Sequence, residues 1–353
     1  MLATPESASP PRPVIPQAVE LETRSILKKC VAARTALADL RYAGKTFSDP
    51  AACASTFALL EAKDSCQIAN VVTAIDPLFK AANGLRVKDD DATRQILRCR
   101  AALIAAAAAS KYQRLSIVTA ATLAHALTLE AGFTPPSENR LTHLLADWAR
   151  FQTESEDIDP LVHLAVSHYL FTSAQPFALA TGPAARILTL MGLLNTGLID
   201  LPVLYLSRHL LATKGSYDRS LAKVTETGEW EPFLDYMLTA IEQSAIWTNG
   251  KLRATRAMID MTADHIKTYA PKIYSPELAE LIFIEPYTRI QHLGRSGIAK
   301  RQTAAVYLKQ LAAIGILKEH KVGRSKIFIH RKYLYLMARD ENTFTPYPPP
   351  TLG

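Results

Sequence analysis

Moving a nucleotide from its phosphates onto a protein hydroxyl needs three kinds of group. A base must take the hydroxyl proton, backbone N–H groups at a helix start must cradle the phosphates, and cations must neutralise them. Residues 165–190 hold the outline of such a set. His168-Tyr169 lies on an apolar helical run, Gln175-Pro176-Phe177 interrupts it, and Gly182 precedes a second apolar run containing Ile187, Leu190 and Leu194. Arg186 follows Gly182 by four residues, about one helical turn. The cation and the glycine fit phosphate handling, whereas Gln175 carries an amide that cannot take up a proton near neutral pH.

The stretch resembles the signature of Fic-family protein adenylyltransferases, HxFx(D/E)GNGRxxR, including its lead-in His-Tyr pair. Pro176, Phe177, Gly182 and Arg186 keep the frame. The resemblance implies a base at the position held by Gln175, a Mg²⁺-binding acid at Leu179 and phosphate-gripping residues at Ala180, Thr181 and Pro183. Leu179 offers magnesium no oxygen, and Ala180 makes close backbone approach harder. Thr181, Gly182 and Arg186 are left as candidates for holding a nucleotide, with Thr181 expected to cap the second helix and Pro183 tolerated in its first turn. His168 stands where relatives carry a structural histidine and is the alternative base. A lone arginine at a helix start is more often a surface or ion-pair residue, which is the bland alternative for Arg186.

Two further departures concern neighbouring pieces. Relatives carry an inhibitory (S/T)xxxE(G/N) helix whose glutamate pairs with the last motif arginine. The matching piece is Ser65-Cys66-Gln67-Ile68-Ala69-Asn70, within a segment of about 61–72, and Ala69 stands where the glutamate belongs. The flap hairpin that presents a target hydroxyl would lie between about Leu129 and His143, where the connection is too short for the usual insertion. The resemblance extends through Leu198–Arg208, Tyr217, Gly228–Leu234 and Glu242–Ala245, and spans about Leu21 to Leu336.

The positioning elements are read from periodicity. Helices are expected from Leu21 to near Gly44, over Pro50–Lys63, Asp91–Lys111, Ser116–Gly132 and Glu138–Thr153, then Asp159–Phe171 and Ala184–Asn195, with Gly197 as C-terminal cap. Leu204–Lys214 and Trp230–Asn249 continue the series, the last running into Lys251–Tyr269. Strand-like alternation occurs only near the C-terminus. The fold expected is mainly α, a Fic-type helical core followed by a winged helix-turn-helix with a small β-hairpin. Its parts are a proline-rich arm (1–19), a helical cover (20–112), the core (113–270), the winged helix (274–338) and a tail (339–353).

Within that last module a short helix, Ile290–Arg295, turns through Ser296-Gly297 into Ala299–Gly315. Ile316-Leu317 and Ile327–Ile329 then flank Val322–Ser325 as a hairpin with a basic tip. From Arg289 to Lys332 eleven Lys/Arg face one acid, Glu319, so this segment carries +10 and the rest of the +7 chain carries −3. Such density suits a polyanion better than a solvated face. Arg301 and Gln302 would read bases, with Lys300, Thr303, Lys309, Lys321, Arg324 and Lys326 beside them to hold DNA phosphates. A protein-binding winged helix is the alternative.

Cys30, Cys53, Cys66 and Cys99 lack metal-ligand spacing and read as buried thiols, so no metal site is expected. No apolar run is long enough to span a bilayer and no signal pattern opens the chain, so a cytoplasmic protein is expected. The function expected is a degenerate Fic protein that binds DNA as a regulator, its core serving as scaffold or homodimer contact. Its rivals are a surviving transferase that modifies a protein Ser, Thr or Tyr hydroxyl using ATP and Mg²⁺, and a pseudoenzyme that senses nucleotide or binds a protein partner. The substitutions count against both cofactors.

Overall fold

The computed structural model describes residues 18–47, 50–85, 90–128, 137–155, 157–177, 180–284, 286–322 and 325–350. Residues 1–17 of the proline-rich arm, the greater part of the flap connection, Leu179 and Arg324 lie outside them.

The N-terminal helices are α1 (Ala18–Leu21), α2 (Arg24–Gly44), α3 (Pro50–Ile68), α4 (Ile75–Ala82) and α5 (Asp91–Ala109). Local chemistry sets their starts: the Thr23 hydroxyl accepts the Ile26 N–H, and the Asp90 carboxylate accepts that of Thr93. Helix α3 runs one turn beyond the expected Lys63, because Cys66 is buried on its apolar face, and ends where Asn70 turns left-handed (φ 64°).

The central helices are α6 (Ile117–Thr128), α7 (Glu138–Leu144), α8 (Ala146–Glu154), α9 (Pro160–Ala174), α10 (Thr181–Asn195), α11 (Leu206–Ala212), α12 (Lys214–Thr227) and α13 (Glu231–Tyr269). The helix expected over Glu138–Thr153 breaks at Leu145 into α7 and α8, and the one expected to reach Gly132 is described only to Thr128. Helix α13, Glu231–Tyr269, forms one unbroken rod, against which α2 lies along much of its length. That rod buries Phe233, Leu234, Met237, Leu238, Ile241, Met258 and Ile266 completely, each burial worth roughly 1.5–3 kcal/mol.

Helix α10 is the innermost element, with Pro183 through Leu193 all buried. It packs on α9 closely enough that a Cβ on Gly192 would lie 2.1 Å from the buried Leu164 side chain. Gly197 adopts φ 69° just past its end, as the cap expectation required.

The C-terminal unit comprises α14 (Pro276–Leu281), β1 (Tyr287–Arg289), α15 (Ile290–Arg295), α16 (Arg301–Ala313), β2 (Lys318–Val322), β3 (Ser325–Ile329) and α17 (Arg331–Ala338). Its antiparallel sheet has the order β1-β3-β2, with Thr288 opposite Phe328 and Glu319 opposite Phe328 on the other side. The hairpin was legible in the sequence; β1 was not, because three residues are too few for a period-2 pattern. No described helix is long and apolar enough to cross a membrane.

Candidate functional site

Helix α9 begins at Pro160 under an Asp159 cap and ends at Gln175, which takes the left-handed conformation (φ 47°, ψ 49°). That backbone state is strained for a side chain with a Cβ, by about 1–3 kcal/mol. Buried Pro176 and Phe177 hold it in place, the Phe177 ring lying edge-on to Phe171 at 5.6 Å. The Gln175 side chain itself is exposed.

Thr181 does not cap α10 as expected. It lies inside the first turn, Ala180 occupies the N-cap, and the buried Thr181 hydroxyl accepts the Phe177 N–H at 3.0 Å. The threonine therefore staples the loop to the helix rather than closing the helix end.

Arg186 is not the surface residue of the bland alternative. It is 3% exposed, and its guanidinium folds back toward the helix start. A Cβ on Gly182 would lie 3.2 Å from two of its nitrogens, so a glycine is what leaves room for it. Arg186 donates from Nε to the Ser65 hydroxyl and from Nη2 to the Ser65 carbonyl, both at 2.8 Å. The segment matching the inhibitory helix thus does hold the motif arginine, but through Ser65 and not through the position of Ala69. Ala69 is half-buried, and Asn70 is exposed beyond the helix end.

Several buried groups escaped the sequence reading. Glu61, one turn ahead of Ser65 on α3, accepts the Ser207 N–H at 2.8 Å and the Ser207 hydroxyl at 2.5 Å. Burial pushes its carboxyl up to about 7, against the Ser207 hydrogen bonds and the nearby Arg186 charge. Asp64 accepts from the Tyr205 hydroxyl and pairs with Lys63 at 2.7 Å. The signal was the spacing of Glu61 and Ser65, which share one face of α3.

His168 is enclosed in a fixed relay. Tyr217 donates to Nε2 at 2.8 Å, and Nδ1 faces Thr189 Oγ1 at 2.9 Å, whose own proton goes to the Ala185 carbonyl. Burial and the Arg186 charge push the imidazole down to about 3. It is neutral, with both nitrogens engaged. Cys30, Cys66 and Cys99 are buried free thiols, and the described residues hold no group of three or more metal-ligating side chains.

At the other end of the molecule, Lys300, Arg301, Gln302, Thr303, Lys309, Lys321 and Lys326 are all exposed. The first four gather at the start of α16, where Lys300 is the N-cap and contributes no side-chain cap bond. Lys326 forms an ion pair with Glu319 across the hairpin.

Two segments match known families. Residues 27–108 match the Fic/DOC family N-terminal region, and residues 258–333 match the C-terminal domain of the SoFic-like protein adenylyltransferase. These segments bracket the helices carrying residues 175–186. Among solved structures, the chain is similar to a Fic family protein from Desulfovibrio desulfuricans G20, at 16% identity and a TM-score of 0.54 over 87% of this chain and 96% of that one. It is also similar to a fragment of Fic-1 from C. elegans, at 18% identity and a TM-score of 0.51 over 64% of this chain and 73% of that one.

Proposed function

The chain belongs to the Fic family, and we propose that it keeps the family's fold without its nucleotidyl transfer, acting as a DNA-binding regulator or scaffold through its basic C-terminal module. Catalytic silence follows from chemistry. No proton acceptor stands at Gln175, His168 is sealed in its relay, and Arg186 is hydrogen-bonded to Ser65. A nucleotide taking these two donors of Arg186 would displace Ser65 and leave that serine's hydroxyl and carbonyl to find new partners.

The observation that carries the DNA reading is the cluster of Lys300, Arg301, Gln302 and Thr303 at the exposed start of α16, within a segment of +10. Their donors point away from a packed apolar face of Ala304, Leu308 and Leu311. The element order α14-β1-α15-α16-β2-β3 and the sheet order β1-β3-β2 support reading this module as a winged helix, with α16 as its recognition helix. Among described residues, Lys300, Arg301, Lys309 and Lys321 have no ion-pair partner, which leaves their charge for phosphate or base edges. The core then serves to scaffold or to dimerise.

The test is DNA affinity measured over a range of salt concentrations. Binding should weaken steeply with salt, and Arg301→Ala should cost about 1–3 kcal/mol and relax sequence preference. A flat response to DNA, alongside ATP-dependent labelling of a protein hydroxyl that Arg186→Ala abolishes, would replace this reading with the transferase one.

A further inference from the structure

Beside the recognition helix lies a cleft of about 730 Å³ whose lining includes Arg289, Gln291, Arg295, Arg301 and Lys326. A second cavity of about 500 Å³ shares Arg289, Gln291 and Arg295 and is bounded on its far side by Ala82, Asn83 and Gly84 at the end of α4. The two form a trough from the start of α16, across α15, to the N-terminal helical cover. Four cations line it, of which Lys326 is paired with Glu319, and no described residue lining either part is acidic.

Arg289 is the distinctive member. Its Nε is buried and has no hydrogen-bond partner among the described residues. A buried guanidinium nitrogen left unpaired costs about 1–3 kcal/mol or more, so this one calls for an acceptor that the described residues do not provide. Arg295, exposed on the rim, has no ion-pair partner among the described residues. The chemistry that satisfies both is an oxyanion with several acceptor atoms, as a phosphodiester offers.

We infer that this trough clamps backbone phosphates of the duplex bound by α16, with Arg289 and Arg295 as the clamp, and that the footprint on DNA therefore reaches past the winged helix to the end of α4. This rests on the DNA reading above. Continuity decides for DNA over another anion: Arg301, at the base-reading end of α16, lines the same cleft. In helix-turn-helix docking the helix preceding the recognition helix crosses the backbone, and α15 holds that place here. Tyr287, next to the clamp in β1, hydrogen-bonds Asp76 of α4, so the far wall is fixed to the module that bears the arginines.

The experiment compares the full chain with Arg289→Ala/Arg295→Ala and with Arg253→Ala, which removes an exposed charge on α13, remote in sequence from the module. Binding to several unrelated duplexes is titrated across salt. The double variant should lose about tenfold or more in affinity on every duplex, and its slope of log affinity against log salt should become shallower by about 1–2. Should its melting temperature reveal damage from the half-buried Arg289, the exposed single variant Arg295→Glu carries the same test. Steep wild-type binding that the clamp variants share unchanged, matching Arg253→Ala, would overturn the clamp and leave the DNA reading standing. No wild-type binding at low salt would overturn both.

Discussion

Arg186 holds the place of the last motif arginine, and its observed partner is Ser65. In a phosphate site its guanidinium would face a ligand; here Ser65 takes two of its donors and Glu61 lies near enough to lend favourable charge. Ser65→Ala removes the hydroxyl that accepts from Nε and keeps the carbonyl that accepts from Nη2, so the one unpaired buried donor should lower unfolding free energy by about 1–3 kcal/mol in urea titrations while DNA affinity stays unchanged. The buried titratable groups also predict a pH profile. His168 and His330 are held down to about 3, so each has stability that is present above the ordinary imidazole range and lost as pH falls toward 3. Glu61 works in the opposite sense. Its carboxyl is raised to about 7, so the folded state binds that proton more tightly and stability drains away as pH climbs from about 4.5 to about 7. Two histidines outweigh one glutamate. The melting temperature should fall on acidification below about 6.5, and Glu61→Gln, by removing the opposing group, should make that fall steeper. An unchanged profile in Glu61→Gln would refute the assigned shift.

The C-terminal tail carries the clearest prediction among the elements. Residues 339–350 have no helix or strand, yet they are fastened at four places. Asp340 pairs with Arg208 at 2.7 Å, the Glu341 carbonyl accepts from buried Lys251 at 2.7 Å, and Thr345 accepts twice from Lys332. The fourth fastening is Tyr347. The Tyr333 N–H goes to His330 Nδ1, so His330 Nε2 bears its proton and donates to the Tyr347 oxygen at 3.1 Å. Thr262 gives its own proton to the Met258 carbonyl and therefore accepts from Tyr347 at 2.9 Å. Tyr347 thereby ties α17 to α13. Tyr347→Ala should destabilise by about 3–5 kcal/mol, as expected for removing a buried aromatic, and Tyr347→Phe by about 1 kcal/mol for the hydroxyl network alone. Equal melting temperatures for Tyr347→Ala and the parent would mean that the tail does not brace the fold. Proline and polar composition made this segment read as a mere tail, because nothing local reports a contact with Thr262, 85 residues away.

Across the whole molecule, the basic module is joined to the helical core at separate points. Thr56 of α3 donates to the Ile284 carbonyl at 2.8 Å, Asp76 of α4 accepts from Tyr287 of β1, and His265 of α13 meets the Ile314 carbonyl at 2.8 Å. Apolar packing of α13 on α14 and α17 adds to these. Units coupled in this way should unfold together, so scanning calorimetry should give one transition whose calorimetric and van't Hoff enthalpies agree. Two resolved transitions would show that core and module are energetically independent, and that DNA bound to one leaves the other unaffected.

Family, helix order and the concentration of positive charge were legible in the sequence, because motif spacing, apolar periodicity and charge are properties of neighbours along the chain. The departures from the family signature at Gln175 and Pro183 were equally plain. The tertiary structure alone decided which partners the remaining motif residues meet. That Arg186 bonds Ser65, that His168 bonds Tyr217 and Thr189, and that the Arg289 Nε is buried with no hydrogen-bond partner among the described residues depend on residues 121, 49 and 21 positions distant or on the shape of a cleft. A side chain's burial, partner and protonation are set by what folds against it, and those neighbours are brought in by helix packing that no local pattern encodes.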